Sequence, residues 1–322
     1  MVIRVLAIGL LTWFGTVAMA EEPPRFWSWQ WPQTNFDQRI IESFSEIRDG
    51  GPPKDGIPAV DDPRFISASD ETRLGDREPV LTLALPGERA RAYPIRYFMR
   101  HEIVNDVVGD RPVSVTYCPL CNSGMAFDRR VGDAVLDFGV SGKLRNSDMV
   151  MYDRQTESWW QQAIGTGIIG HYAGTELTQI PTVMESWKEF LVGHPDGLVL
   201  DAPFPGASYS NPYVNYDSSK RPFLYSGELP PHGILPLERV LRVGDSAWPL
   251  NRLAKEVELR ESGLMITWNL GQASALDTGD INAGKEVGTV RVFDEAGNPV
   301  AHDILFAFAF HAFWPEGNWM LN

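Results

Sequence analysis

The two cysteines of the chain, Cys118 and Cys121, are its clearest candidates for chemistry. They are its only cysteines, and they lie three residues apart in the segment 116–122, TYCPLCN. Two cysteines are too few for a disulfide framework, so the Cys-x-x-Cys pair indicates a single local site. This site could be one of three kinds: a metal site, a dithiol–disulfide redox pair, or a disulfide that closes one turn.

A metal site needs more ligands than this pair supplies. One Cys-x-x-Cys turn provides two thiolates, and a tetrahedral site takes four ligands. The sequence has no second Cys-x-x-Cys, so histidines must complete the site, and two of the six histidines suit this role. His101 precedes the predicted strand that carries the cysteines, and His311 lies at the end of another predicted strand. The predicted metal ligands are therefore Cys118, Cys121, His101 and His311.

The metal that this ligand set predicts is copper or zinc. Two thiolates with one or two imidazoles suit both ions, and a thioether sulfur in addition would favour copper. The methionines that could supply it are Met125, Met149 and Met151. Each histidine also has a plainer interpretation, His101 as a core or surface residue and His311 as the cap of a strand.

The same cysteines suit a thiol–disulfide oxidoreductase, which is the main alternative. The Cys-x-x-Cys spacing lowers the pKa of the first thiol best when the pair opens a helix. Strand-like residues follow Cys121 here, and no βαβ pattern surrounds the pair, which is unlike thioredoxin. A structural disulfide also stays open. A third class is a non-catalytic binding module that would use the Tyr- and Pro-rich segment 208–225.

A second polar cluster, Asp153 and Glu157, offers weak candidates for an acid and a base or for ligands of a hard cation. A polar turn involving Arg154 explains the same residues without catalysis. The sequence has no Gly-x-Ser-x-Gly and no His-Glu-x-x-His, the usual signatures of hydrolases and metalloproteases. Whether the protein is an enzyme therefore stays open.

The first twenty residues resemble a Sec-type signal peptide. Arg4 provides a positive end, residues 5–17 are apolar, and Ala18-Met19-Ala20 is a small-x-small cleavage site. An uncleaved N-terminal anchor is the alternative. No later segment approaches twenty uninterrupted apolar residues, so we expect no membrane span after cleavage. The predicted location is the periplasm or the extracellular space.

The net charge of the chain limits the kinds of partner that we expect it to bind. Its formal net charge is −14, and no basic tract interrupts the acidic composition. Nucleic acid is therefore excluded as an expected partner. A small molecule, a metal ion or a periplasmic protein remains.

The pattern of apolar residues predicts a mainly β fold with a few short helices, a β-rich member of the α+β class. We expect two similar β subdomains produced by an internal duplication. The predicted divisions are a signal peptide at 1–20, an irregular N-terminal arm at 21–75, a first β-rich repeat with the cysteines at 76–200, a Pro/Tyr-rich connecting loop at 201–235, and a second β-rich repeat at 236–322.

The predicted duplication depends on four segment pairs that occur in the same order. They are 90–96 with 245–251, 114–117 with 265–268, 125–128 with 274–277, and 148–151 with 303–306. Trp159 and Trp314 each follow the last pair by the same distance. In this alignment the second copy makes the cysteine turn without cysteines, so we expect the cysteines to serve chemistry. Asp148 matches Asp303, which indicates a structural role for Asp148.

Three motifs together resemble the family catalogued as DUF3179. They are residues 115–123, VTYCPLCNS, residues 138–142, FGVSG, and residues 146–160, NSDMVMYDRQTESWW. The similarity runs from about residue 76 to residue 314. The family has no known function, so the resemblance implies that these motifs matter and implies no reaction.

Overall fold

Strands dominate the computed structural model, which describes residues 21–206 and 209–322. The strands of the first half are β1 Ile47–Asp49, β2 Phe65–Ser67, β3 Pro79–Leu83, β4 Arg91–Pro94, β5 Ile103–Val108, β6 Arg111–Cys118, β7 Ser123–Asp128, β8 Arg130–Val131, β9 Ala134–Val135, β10 Phe138–Arg145 and β11 Asp148–Asp153. Those that follow are β12 Trp159–Gln161, β13 Thr166–Ile169, β14 Gln179–Ile180, β15 Val183–Ser186, β16 Leu198–Leu200, β17 Arg239–Val243, β18 Ser246–Pro249, β19 Glu258–Glu261, β20 Leu264–Asn269, β21 Thr289–Asp294, β22 Asp303–Phe306 and β23 Asn318–Trp319.

Five short α-helices join these strands. They are α1 Arg25–Gln30, α2 Ile95–His101, α3 Trp187–Gly193, α4 Leu250–Glu256 and α5 Ala307–Phe313. Each described helix has six or seven residues, well short of the length that a bilayer crossing requires. The predicted mainly β class with few short helices is confirmed.

The strands form five main sheets in a propeller-like arrangement. Their strand orders are β1-β10-β11-β12-β13 in sheet A, β14-β7-β6-β5 in sheet B, β15-β3-β4-β16-β2 in sheet C, β22-β17-β18-β23 in sheet D and β19-β20-β21 in sheet E. Strands β8 and β9 form a separate small hairpin. The predicted signal peptide, residues 1–20, lies outside the described residues.

The prediction of two similar β subdomains is wrong. Residues from both predicted repeats share one hydrophobic core, in which Leu81, Tyr93 and Met125 pack with Leu305 and Phe308. A chain that buries its apolar side chains in one continuous core does not divide into two independent units. Sheet A, moreover, is formed wholly from residues before 170 and has no counterpart in the second half.

The alignment of the two predicted repeats fails because some of its segment pairs lie in sheets that are not equivalent. The pairs 90–96 with 245–251 and 114–117 with 265–268 do fall on strands with similar neighbours, β4 with β18 and β6 with β20. Residues 148–151, however, form part of β11 in sheet A, whereas 303–306 are β22 in sheet D. Trp159 lies in β12, and Trp314 ends a helix. The two halves of the chain are therefore alike only in the order of some strands within sheets B to E.

The expectation that the second half makes the cysteine turn without cysteines is also wrong. Strands β6 and β7 form a tight hairpin around the cysteines. Strand β20 instead pairs with β21, and residues 270–288 lie between them. The chain therefore has no cysteine-free version of this turn, and the argument from the alignment does not apply.

The N-terminal arm packs onto sheet A through aromatic side chains. Trp27, Trp29 and Trp31 alternate in sequence like a strand face, but Trp27 and Trp29 lie in α1 and Trp31 follows as its C-cap. Residues four apart share one face of a helix, so Trp27 and Trp31 are buried while Trp29 is 83% exposed. Trp27 and Trp31 both contact Trp159, with ring centroids 4.9 and 5.2 Å apart.

This packing predicts a large difference between two tryptophan substitutions. Trp31→Ala should lower the free energy of unfolding by roughly 3–5 kcal/mol, because it leaves a cavity beside Trp159. Trp29→Ala is the matched control and should change it by less than about 0.5 kcal/mol. Urea denaturation of both variants measures the difference. Equal losses would show that the arm does not stabilise sheet A in the way described.

Candidate metal site

Cys118 and Cys121 lie at the tip of the hairpin that joins β6 to β7. Cys118 ends β6 and pairs with Ser123 at the start of β7. Within the tip, the N–H of Cys121 donates to the carbonyl of Cys118 at 3.3 Å, and Asn122 donates to Pro119 at 3.3 Å. Asn122 has φ of 55°, a left-handed conformation that asparagine tolerates better than most residues. The two thiols are free in this structure, and these backbone hydrogen bonds span the turn.

Strand β22 holds the hairpin tip in place from the second half of the chain. Asp303, its first residue, accepts hydrogen bonds from the Ser123 hydroxyl at 2.6 Å and from the Gly124 N–H at 3.0 Å. The N–H of Phe306 donates to the carbonyl of Cys121 at 2.8 Å. These buried contacts fix the cysteine turn against a neighbouring sheet.

A second hairpin tip brings Asp148 to the cysteines. Strands β10 and β11 are joined by Asn146 and Ser147, whose φ values of 49° and 64° are both positive. Two such residues in succession form a type I′ turn, which matches the twist of antiparallel strands. Arg145 pairs with Asp148, so Asp148 is the first residue of β11.

The two hairpin tips place three metal-binding side chains together. The Sγ atoms of Cys118 and Cys121 and a carboxylate oxygen of Asp148 all lie within 4.8 Å of one another, and the three residues are buried. Asp148 Oδ2 accepts from the Gln161 side-chain amide at 2.6 Å and from the Ala163 N–H at 2.9 Å. Asp148 Oδ1 is buried without a hydrogen-bond partner in the described residues. The nearby donors are the thiols of Cys118 and Cys121, whose hydrogen bonds to the carboxylate lower the pKa of Asp148, so loss of the thiol protons would free this oxygen for a ligand.

The electrostatics of the group suit a bound cation. Burial raises the pKa of Cys118, raises that of Cys121 well above its usual range, and raises that of Asp148 to about 6. No arginine, lysine or histidine of residues 21–206 and 209–322 forms an ion pair with Asp148. Without a cationic partner, burial in a low-dielectric interior disfavours the ionised form of all three groups. A metal ion would supply the missing positive charge.

Glu102 is a fourth acidic group beside this cluster. It ends α2 with φ of 56°, a conformation that turns the chain into β5. Burial, and secondarily the charge of Asp148, raises the pKa of Glu102 to about 8. The Glu102 side chain is partly exposed because it lines a pocket.

That pocket has a volume of about 300 Å³, and its lining includes residues that neighbour the three side chains along the chain. Leu120, from between the two cysteines, and Met149, next to Asp148, form part of its wall. Tyr213, Tyr216 and Phe223 of the segment 201–235 form another part. The ligand group therefore lies beside a cavity of the size that small-molecule sites have.

A comparison with known families agrees with the motifs that build this site. A family model described as "Protein of unknown function (DUF3179)" matches residues 54–317. The chain belongs to the DUF3179 family. The match covers both hairpin tips and Glu102, and it confirms the resemblance seen in the sequence. No curated protein and no solved structure matches the chain.

In this DUF3179 domain, His101 lies outside the group of mutually close ligand atoms. Its Nδ1 is 2.9 Å from the carbonyl oxygen of Pro58, and its ring packs against Phe204 at 5.2 Å. Burial lowers the pKa of His101, which keeps the imidazole neutral. The structure thus gives His101 a packing role.

His311 also lies outside that group. It is in α5, and its Nε2 is 3.9 Å from a carboxylate oxygen of Glu228. The two predicted cysteine ligands are thus brought together, whereas the two predicted histidine ligands do not join them. The third side chain beside the cysteines is a carboxylate, that of Asp148, and not an imidazole.

Asp153 and Glu157 are engaged in structural contacts. Asp153 accepts hydrogen bonds from Thr156 and, at 2.9 Å, from the Trp160 indole. Glu157 accepts from the Gln33 N–H at 3.0 Å and pairs with Lys54 at 2.6 Å. These contacts tie the turn after β11 to the N-terminal arm, which agrees with the plainer interpretation of a polar turn.

Sequence reasoning missed Asp148 and Glu102 as members of the site. Asp148 stands within the NSD motif, so the signal was present, but its alignment with Asp303 led to a structural interpretation. Glu102 directly follows His101, which drew attention to the imidazole. Neither residue could be placed beside the cysteines without knowing how sheets A and B meet.

The raised pKa of Glu102 predicts a pH effect on the metal-free protein. Between its ordinary pKa and about 8, the carboxyl is ionised in the unfolded chain and protonated in the folded one. Stability is therefore lost as the pH rises through this range. Glu102→Gln should reduce that loss by on the order of 2 kcal/mol between about pH 5 and pH 8.

Urea denaturation of the chelator-treated protein at several pH values measures this. Glu88→Gln makes the same change at an exposed position and should leave the profile unchanged. If the free energy of unfolding changed with pH by the same amount in the wild type and in Glu102→Gln, Glu102 would ionise normally in the folded state.

Proposed function

We propose that this protein is an exported metal-binding protein whose site consists of Cys118, Cys121 and Asp148. One observation carries the proposal. Two thiol sulfurs and a carboxylate oxygen lie within 4.8 Å of one another, and Asp148 Oδ1 is buried without a hydrogen-bond partner. In a tetrahedral zinc site, two thiolates lie roughly 3.8 Å apart, because each Zn–S bond is about 2.3 Å long. The observed limit of 4.8 Å between the ligand atoms admits that spacing.

Zinc suits the ligand set better than copper. Thiolate ligands suit both zinc and cuprous copper, but a carboxylate oxygen suits a harder ion than cuprous copper. Neither imidazole belongs to the group, and the thioether of Met125 accepts a hydrogen bond from Arg242 at 3.8 Å. Zinc accepts cysteine and aspartate ligands together. Copper, the other predicted metal, becomes an outcome of the test.

Three protein ligands leave a fourth position open on a tetrahedral metal. Catalytic zinc sites have this composition, whereas structural zinc sites are closed by four protein ligands. A metal in this site would supply Lewis-acid or water-activating chemistry. The chain's own contribution is to hold three anionic ligands in a buried, mostly apolar setting.

The thiol–disulfide alternative has less support from the site. The thiolate is the attacking species in such exchange, and reactive cysteines have lowered pKa values. Burial raises the pKa of both thiols here. No helix begins at the pair, since β7 follows it directly. These features disfavour rapid exchange at neutral pH.

Metal analysis of the purified protein tests the proposal. The chain should be purified without a polyhistidine tag and without chelators, and then analysed by inductively coupled plasma mass spectrometry and by thiol titration after denaturation. About one zinc per chain and two free thiols are expected. Copper at the same stoichiometry would correct the metal. A metal-free chain with a reversible disulfide would favour the oxidoreductase instead.

Export is tested separately by the mass of the mature chain. Cleavage after Ala20 would leave Glu21 as the first residue. Intact-mass measurement of protein from a periplasmic fraction should give that N-terminus. Full-length protein retained with membranes would favour the uncleaved anchor.

A further inference from the structure

We propose that the pocket lined by Glu102, Tyr213, Tyr216 and Phe223 binds a small organic cation, with the Glu102 carboxylate as its counter-ion. The ligand would carry an ammonium group on a small apolar or aromatic body. This inference does not depend on a bound metal, because none of these four residues belongs to the proposed metal site.

The carboxylate of Glu102 has no partner among the described residues. Neither of its oxygens accepts a hydrogen bond there, and no arginine, lysine or histidine of residues 21–206 and 209–322 forms an ion pair with it. The charge that acts on it is that of Asp148, which is also negative. Surrounding a carboxylate with protein and leaving it unpaired is costly, so a positively charged ligand would relieve that cost.

The accessible surface of Glu102 faces the pocket. Its side chain keeps some exposure, and it is one of the residues that line the pocket. Protein nevertheless encloses it, since burial is the main cause of its raised pKa. Its oxygens are not among the unpaired polar atoms that are sealed from solvent. A group that is enclosed and still accessible is reached through a cavity, so a ligand in this pocket can contact the carboxylate.

Tyr213 adds a second oxygen near Glu102. After burial, the charge of Glu102 is the next cause of the raised pKa of Tyr213, which places the phenol within electrostatic reach of the carboxylate. The Tyr213 hydroxyl makes no hydrogen bond to Glu102 or to another described residue. An ammonium group has three donors, so one ligand could donate to both oxygens.

Aromatic side chains form one wall of the pocket, and the fold holds them in place. The Tyr216 hydroxyl donates to the Leu120 carbonyl at 2.9 Å, and the N–H of Phe223 donates to the Tyr216 hydroxyl oxygen at 3.2 Å. With Tyr213, these rings offer negative faces that attract a cation and apolar surface for its body. A volume of about 300 Å³ admits one ring with a short substituent.

Lys143 does not neutralise the acidic group of the pocket. It is the basic residue among the described lining residues, but its Nζ pairs with Asp49 at 3.1 Å. The same Nζ is 5.6 Å from the centre of the Phe26 ring. Asp49 and Phe26 line a different cavity, so the ammonium end of Lys143 is directed there. The pocket therefore favours a cation and repels an anion.

Isothermal titration calorimetry of the purified protein tests this with three probes that share one ring: benzylamine, benzyl alcohol and benzoate. A mildly alkaline buffer of low ionic strength keeps the amine protonated and limits screening. We expect benzylamine to bind at least about tenfold more tightly than benzyl alcohol, because its ammonium group makes charge-assisted hydrogen bonds with Glu102. Benzoate should bind at least about tenfold more weakly than benzyl alcohol.

Glu102→Gln removes the charge and keeps the size of the side chain. It should weaken benzylamine binding at least about tenfold and leave benzyl alcohol binding unchanged. Glu88→Gln makes the same change at an exposed position and should alter neither affinity. Circular dichroism shows whether each variant is folded.

Two phenylalanines of the segment 201–235 provide a second pair of variants. Phe223 lines the pocket and is 47% exposed, whereas Phe204 is 51% exposed and lies against His101. Phe223→Ala should weaken the binding of benzylamine and of benzyl alcohol about three- to tenfold. Phe204→Ala should change neither.

The proposal would be overturned by equal affinities of the wild type for benzylamine and benzyl alcohol, or by the absence of binding of all three probes. A folded Glu102→Gln variant that still prefers the amine would also overturn it. If that variant does not fold, the comparison of probes on the wild type and on Phe223→Ala decides. Zinc content measured on the same samples tests the metal site separately, so either proposal can fail while the other stands.

Discussion

Replacing Cys118 and Cys121 together by serine should weaken zinc binding by at least about a thousandfold. The two thiolates are the strongest donors of the proposed site, and serine hydroxyls are not deprotonated to replace them. Competition with a chromophoric zinc chelator measures the affinity of the wild type and of the variant. A double variant that still holds one zinc per chain would contradict the site.

The melting curves of the same variant show whether the metal also stabilises the fold. The backbone hydrogen bond between the cysteines and the contacts of Asp303 close the turn without the sulfurs. We therefore expect the double variant to fold, with a loss of about 1–3 kcal/mol for each buried hydroxyl left unpaired. Added zinc should raise the melting temperature of the wild type and leave that of the variant unchanged.

Asp148→Asn should weaken zinc binding by at least about a hundredfold. The amide oxygen can still accept the hydrogen bonds of Gln161 and Ala163, which Asp148 Oδ2 accepts in the wild type. The amide nitrogen then takes the position of Oδ1 and cannot coordinate a metal. Loss of a direct ligand should exceed the 10- to about 100-fold cost of removing an outer partner.

Asp153→Asn is the matched control, because Asp153 is a buried carboxylate at the other end of β11. It should lower stability through its contact with the Trp160 indole while leaving zinc affinity unchanged. If both asparagine variants lost zinc equally, the effect would come from unfolding of β11, and Asp148 would lose its assignment as a ligand.

Local patterns in the sequence predicted much of the first half of the fold. The apolar run that starts at Val80, the Pro-Gly pair after Leu85 and the segment before Ile95 predict a hairpin, and β3 and β4 form it. The strand that delivers Cys118 is β6. Alternation and turn residues act over a few residues, so the sequence contains this information directly.

Those local patterns do not predict which distant strands come into contact. Asp148 meets the cysteines because two hairpin tips from different sheets face each other, and nothing in the period of either strand encodes that meeting. The apparent repeat was misleading for a related reason. Short β segments of similar composition, such as those at Asp148 and Asp303, occur in sheets with different neighbours.

The order of the site along the chain has a consequence for how it acquires a metal. The proposed ligands all lie between residues 118 and 148, whereas Tyr216 and β22, which both contact the cysteine hairpin, come much later in the chain. Ribosomes make the chain from its N-terminus, so the ligands emerge before their cover does. A nascent chain that ends before residue 200 lacks both Tyr216 and β22, so the cysteine turn would be uncovered until the rest of the chain is made.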